Sequence, residues 1–265
     1  MRIHLYLKKH IVFLIFSGFI NFFAPSSEAK EITIGVSHTR PPYIIQEKNS
    51  GVEIDITREI FKSRGDTVNF MYLTNERVTF FLKEGKVDGV LFQKSYDFKK
   101  EQNMDVFYSD DHITYHNYAI SLSQNKLMIE SIANLKDKRV LAFQYANKYL
   151  GPEFAEMAKQ NPQYKEKPEQ SLQVFSLFTG RTDVVIADKL IFLYHRKLAE
   201  QEGKIDLKAP VTFHSLFPPN PIHGVFLNAA IRDEFDAGLK KIHETGKYED
   251  IVKQYEQMMN LQIGQ

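Results

Sequence analysis

A two-lobe α/β fold is what this chain of 265 residues predicts, and three observations carry the prediction. Short apolar segments with strand character alternate with single amphipathic helices, as parallel strands with helices packed on their faces require. The alternation restarts after about Asn134. One local unit, a helix end followed by Gly, two residues, Asp and an apolar strand, occurs once in each half. It reads Leu82-Lys83-Glu84-Gly85-Lys86-Val87-Asp88-Gly89-Val90-Leu91 in the first and Leu177-Phe178-Thr179-Gly180-Arg181-Thr182-Asp183-Val184-Val185-Ile186 in the second.

In chain order, residues 32–36 read as a buried strand, followed by the turn-forming Arg40-Pro41-Pro42-Tyr43 and a loop ending at Gly51. A helix follows, with Ile56, Ile60 and Phe61 on one face, Asp55 placed to cap its start and Gly65 to stop it. Residues 67–73 alternate as a half-buried strand does, with Val68, Phe70 and Tyr72 on one side. Val78, Phe81 and Leu82 form the next helical stripe, and 87–92 the next strand. In the second half, 139–143, 172–175 and 184–187 read as strands, and 148–160 and 189–201 as helices. Phe235, Leu239 and Ile242 make a late helical stripe, Gly246 stops it, and Tyr248, Ile251, Val252 and Tyr255 make another.

Composition narrows the function classes. Hydrophobic residues are 43% and charged residues 25%, with only 13 Gly and 10 Pro, so disordered and collagen-like chains are disfavoured. The formal net charge of +1 supplies no basic stripe for phosphates, so no nucleic-acid partner is expected. There is no Cys, which removes disulfides, thiolate nucleophiles, Cys-based zinc sites and lipid attachment through an N-terminal Cys. Gly-x-Ser-x-Gly, His-Glu-x-x-His and phosphate-binding glycine loops are likewise missing.

Residues 1–29 open with Arg2, Lys8 and Lys9, continue through an apolar run over 11–24, and end in Ser26-Ser27-Glu28-Ala29. This is the layout of a cleavable signal peptide, with the mature chain starting at Lys30. A membrane anchor is the alternative, but a spanning helix needs about 20 apolar residues and this run is interrupted by Ser17, Gly18 and Asn21. Without residues 1–29 the chain keeps 31 basic and 32 acidic residues, a net charge of −1. A periplasmic protein that is not a lipoprotein is expected.

Several motifs, taken in order, resemble the bacterial extracellular solute-binding proteins of family 3, the periplasmic receptors that serve polar amino acid ABC importers. They are Ile34-Gly35-Val36 with Pro41-Pro42-Tyr43, Gly51-Val52-Glu53-Ile54-Asp55-Ile56, both Gly-x-x-Asp units, Phe107-Tyr108-Ser109-Asp110, Leu135-Lys136-Asp137-Lys138-Arg139-Val140 and Gly246-Lys247-Tyr248-Glu249-Asp250-Ile251. The resemblance implies a type II periplasmic binding fold, each lobe a mixed, mostly parallel sheet flanked by helices. Lobe 1 would comprise residues 30–118 and 223–265, and lobe 2 residues 119–222, with crossings near 118–121 and 223–226. It further implies a monomer that captures a small polar ligand between its lobes, without a cofactor, and hands it to the membrane subunits of an importer.

The resemblance also assigns site residues. In the amino-acid-binding members a Thr and an Arg three residues later hold the ligand's carboxylate, and Asp97 and Lys100 fall at those positions. A Gly-Thr or Gly-Ser of the family is replaced by Phe143-Gln144-Tyr145-Ala146-Asn147, so Tyr145 becomes a candidate there. Asp188 matches the acidic residue that pairs with a ligand ammonium, which implies an amine-bearing ligand; its other reading is a helix N-cap before Lys189. Arg40 stands at the mouth, where the family often puts an aromatic, with Tyr43 beside it; Gln93 and Ser95 follow a strand end, where open α/β sheets bind ligands. Lys99 and Lys100 are assigned jointly, and both are equally readable as solvated surface charges.

Two other classes compete. Dehydratases resemble this family, and a cleft holding Asp97, Lys100 and Asp188 could supply an acid and a base. A partner other than an importer, a membrane sensor, is also open. A metal site at Asp110, Asp111, His112 and His116 is disfavoured, because the surrounding residues favour an extended chain that would separate the two His by about 13 Å.

Overall fold

The computed structural model describes residues 29–37, 39–203 and 208–259. The export signal expected over residues 1–29 lies outside them except for Ala29. Two sheets organise the chain. The first is built from β1 (Glu31–Ser37), β2 (Thr67–Leu73), β3 (Gly89–Gln93), β4 (Phe107–Tyr115) and β10 (Asn220–Phe226), in the order β2-β1-β3-β10-β4. The second contains β5 (Asn117–Leu122), β6 (Val140–Phe143), β7 (Tyr164–Lys167), β8 (Val184–Asp188) and β9 (Val211–His214), in the order β7-β6-β8-β5-β9. In each sheet the first three strands are parallel and the last two join antiparallel, so the sheets are evenly mixed.

The chain leaves the first sheet through His116 and returns through residues 215–219. Both passages fall a few residues before the expected crossings. The reason is that 118–121 and 223–226 are themselves strands, paired inside β5 and β10 rather than spanning between sheets.

Helices α1 (Val52–Lys62), α2 (Asn75–Lys83), α3 (Phe98–Gln102), α8 (Ala229–Glu244) and α9 (Lys247–Met258) accompany the first sheet. Helices α4 (Ala146–Tyr149), α5 (Pro152–Gln160), α6 (Ser171–Phe178) and α7 (Lys189–Glu202) accompany the second. The strand expected over 172–175 is part of α6. Its Val174 and Leu177 face the sheet at helical spacing, and the short apolar run did not distinguish the two periods. The strand is instead Tyr164–Lys167, whose Tyr-Lys-Glu-Lys composition hides it. The helix expected over 148–160 is two helices, broken where Gly151 takes φ 92° and Pro152 opens α5.

Apolar side chains fill both faces of each sheet. Along β8, Val184 and Ile186 pack on one side while Val185 and Ala187 pack on the other, the period-two alternation of a strand buried on both faces. Gly51, rather than the expected Asp55, precedes α1: its φ is 130°, and a Cβ there would fall 2.2 Å from the Tyr43 carbonyl oxygen. Asp55 instead bonds Arg58 and Tyr255, tying α1 to α9.

Candidate functional site

All six parallel strands end on one cavity of about 630 Å3 between the sheets. From the first sheet come Ser37 at the end of β1, Thr74 just past β2 and Gln93 at the end of β3. From the second come Phe143 at the end of β6, Pro168 just past β7 and Asp188 at the end of β8. Carboxyl ends of parallel strands are where α/β sheets hold ligands, and here two sets face each other.

Of the seven candidates, five line this cavity: Arg40, Gln93, Ser95, Tyr145 and Asp188. Tyr43 lies beneath it, buried and stacked on Tyr115 with ring centroids 3.9 Å apart. Lys100 is placed outside. It sits exposed on α3, where its backbone N–H donates to Asp97 Oδ1 at 3.1 Å. The three-residue spacing that suggested a ligand-binding pair is therefore the spacing of a helix N-cap to its third residue. Lys99 pairs with Asp105 at 2.5 Å in water. Asp97 and Lys100 sit together at α3, but neither lines the cavity that Asp188 lines, so the three groups of the dehydratase reading are not assembled in it.

Asp188 is 3% exposed, and its acceptor capacity is spent inside the protein. Oδ1 accepts from the N–H groups of Leu190 and Ile191 at 2.9 and 3.1 Å, capping α7. Oδ2 accepts from His116 N–H at 2.8 Å and from the Tyr43 hydroxyl at 3.2 Å. Four bonds fill the roughly four lone-pair sites of a carboxylate, so a ligand ammonium would have to displace one of these donors. Burial pushes the Asp188 carboxyl above its usual range, and the four donors work against that rise. N-capping and cleft lining thus coexist, with the cap holding the bonds.

Beneath Arg40 lies a buried polar layer. Glu53, 1% exposed, accepts from the Tyr115 hydroxyl at 2.5 Å and lies 4.0 Å from the Arg40 guanidinium. Burial raises its carboxyl, while Arg40 and the Tyr115 bond lower it. Arg40 packs over the Tyr115 ring at 4.8 Å, with about a third of its side chain exposed. Burial alone would lower it, but Tyr115 and Glu53 leave it above its ordinary value, so it stays charged. Behind this layer His112 is fully buried 3.9 Å from Glu53, and burial together with His223 lowers it to about 3.

The opposite wall treats its donors differently. Tyr145 sits in the left-handed region at φ 66°, and its N–H donates to Glu166 at 2.7 Å while the N–H of Asn147 donates to the same carboxylate at 3.0 Å. The Tyr164 hydroxyl adds a third bond at 2.6 Å. A left-handed residue opening a helical turn makes a concave pair of backbone donors suited to an anion. In this chain the anion is the protein's own Glu166.

Sequence reasoning missed two polar residues of the cavity wall, Ser37 and Gln170, whose Oγ and Oε1, like the Nε of Arg40, are buried with no hydrogen-bond partner among the described residues. Arg40 was in view. Ser37 carried a usable signal, as the last residue of the first strand. Gln170 was hidden because 172–175 read as a strand rather than the helix it precedes. Among the described residues, no group of three or more His, Asp or Glu could hold a metal ion. No helix among them is long and apolar enough to cross a membrane.

The model of the bacterial extracellular solute-binding proteins, family 3, matches residues 32–258. The chain belongs to that family. Among solved structures, an ancestral arginine-binding protein bound to arginine is 21% identical, with 85% of this chain and 97% of that one covered at a TM-score of 0.63. An amino acid ABC transporter substrate-binding protein from Streptococcus pneumoniae bound to L-arginine is 14% identical, covering 86% and 95% at 0.61. A histidine kinase sensor domain with similarity to periplasmic binding proteins is 17% identical, covering 85% and 95% at 0.64. At these identities the likeness shows the fold, a type II periplasmic binding architecture. No curated protein sequence matches.

Proposed function

We propose that this chain is a periplasmic solute-binding receptor that closes its two lobes, divided at His116 and residues 215–219, around a small polar ligand and presents it to an ABC importer. The observation that carries this reading is the set of polar side chains that line one cavity from both sides: Ser37 and Arg40 from the first lobe, Gln144 and Gln170 from the second. A polar ligand that bonds side chains of both lobes favours the arrangement in which the lobes close on it. Gln93, Ser95 and Tyr145 complete the contacts. Asp188 and Tyr43 hold the wall, and Lys100 takes no part. An amine on the ligand is not required, because Asp188 has no acceptor left to offer it. The role is binding without turnover, since the proposed acid and base groups lie apart.

A thermal-shift screen of amino acids, organic acids, polyamines and sugars, followed by small-angle scattering on the hits, tests the reading. A ligand at about 100 times its dissociation constant adds about 2.7 kcal/mol of stability, and its binding should reduce the radius of gyration. Hits that leave the radius unchanged, or that are converted to product, would contradict it.

A further inference from the structure

The cavity's walls are more aromatic than a polar ligand alone needs. Phe92 and Tyr115 line it from the first lobe, Phe143, Tyr145 and Tyr149 from the second, and Phe217 from the returning passage. Tyr145 and Tyr149 keep 44% and 48% of their surface in water, an arrangement that favours covering by a flat apolar body.

The charged groups around the cavity are unequal in availability. Among the described residues that line the cavity Arg40 is the one cation, and its Nε is a buried donor with no partner among them. The carboxylate of Asp188 is filled by four donors, and Glu76, the other carboxylate among the described lining residues, is exposed, where water screens it. Glu53 lies behind Arg40, buried and 4.0 Å from it, and does not itself line the cavity. An ammonium brought into the closed cleft would therefore meet no unspent buried carboxylate, and an unpaired buried charge is costly.

The second lobe also closes off an anion position. Its paired backbone donors at Tyr145 and Asn147 are held by Glu166. What that wall offers instead is neutral, the amide side chains of Gln144 and Gln170.

Resting on the receptor reading above, we propose that the cleft selects a ring-bearing monocarboxylate with a neutral hydroxyl or amide donor, in preference to a zwitterionic α-amino acid. Arg40 takes the carboxylate, the aromatic walls take the two faces of the ring, and Gln170 accepts from the neutral donor. A planar guanidinium suits a carboxylate, and aromatic stacking suits a ring.

Isothermal titration with a matched set of probes tests this: 4-hydroxybenzoate, tyramine, L-tyrosine and L-glutamate. The expected result is that 4-hydroxybenzoate binds at least tenfold more tightly than each of the other three. Arg40→Gln should weaken it ten- to a hundred-fold and Tyr145→Ala about tenfold. Arg40→Lys keeps the charge beside Glu53 but removes the Nε donor, and it should weaken the ring acid several-fold if Arg40→Gln fails to fold. Tighter binding of L-glutamate or L-tyrosine, with a smaller radius of gyration, would overturn this inference and leave the receptor reading standing. Tighter binding of tyramine, or no binding of the ring acid, would overturn it as well. The receptor reading fails separately, if no member of the wider screen closes the lobes.

Discussion

Strand for strand, the order β2-β1-β3-β10-β4 of the first lobe matches β7-β6-β8-β5-β9 of the second. The match extends to individual bonds. Asp88 accepts from Thr33 N–H at 2.7 Å and donates its own N–H to Thr33 at 2.8 Å. Asp183 does the same with Arg139, at 2.9 Å in both directions. The preceding Gly85 and Gly180 take φ of 63° and 68°. At the cleft the two lobes part company. The first presents a charged, partly unsatisfied layer of Arg40, Glu53 and Tyr115 over a buried His112, whereas the second satisfies its strand-end donors with Glu166 and its strand-end acceptor with a helix cap. The repeated bonds build the fold, and the unrepeated ones decide what the cleft can hold.

The largest effect expected from this contrast is in the pH dependence of stability. His112 takes up a proton below about pH 6.5 when unfolded, but in the fold only near 3. Stability is therefore full above pH 6.5 and is lost as the pH falls toward 3, at about 1.4 kcal/mol per unit, or roughly 3 kcal/mol between pH 6.5 and 4.5. Glu53 and Asp188, whose folded values are raised, act in the opposite sense and lose stability as the pH rises through those values. Urea titrations of wild type and His112→Gln separate the two contributions. The variant should lose most of the acid sensitivity, and an unchanged slope would show that the first lobe is not the pH-sensitive one.

Next is Asp188, where a cap and a cleft wall coincide. Asp188→Ala should cost about 2–3 kcal/mol, through the lost cap and the buried donors left behind, while Asp188→Asn, which keeps the cap but turns an amide donor toward the His116 N–H, should cost less, about 1–2 kcal/mol. Thermal denaturation of both variants checks this. Equal losses would mean that the charge, not the cap, matters.

The smallest effect tests the shared scaffold. Asp88→Ala and Asp183→Ala should each cost about 1–3 kcal/mol and agree with each other within about 1 kcal/mol, since each removes the same backbone clamp and the Arg139 guanidinium that Asp183 also binds is half exposed. Chemical denaturation measures both, and a several-fold disparity would break the equivalence of the lobes.

Much of the fold was legible because its signals repeat. Gly85 to Asp88 and Gly180 to Asp183 mark the same turn twice, and the apolar strands that follow are buried on both faces. Tyr164–Lys167 was not legible, since an edge strand with three charged residues has no apolar pattern to read. The site was harder. Arg40, Gln93, Ser95 and Tyr145 could be placed from their positions after strands and turns, but Lys100 could not be told from a helix surface residue by spacing alone. Whether Asp188 has acceptors to spare depends on Tyr43 and His116, at least 72 residues away along the chain. Gln170 depends on where a helix begins. These are tertiary facts with no local signature.

A crystal structure of the protein with the tightest ligand from the screen tests the central claim most directly. The account predicts one ligand between the sheets, within hydrogen-bond distance of Arg40 from the first lobe and Gln170 from the second. Asp188 should still be bonded to Leu190, Ile191, His116 and Tyr43, and Lys100 should remain in solvent. A ligand ammonium on Asp188 with the Tyr43 hydroxyl displaced, or a ligand carboxylate on Lys100, would contradict it.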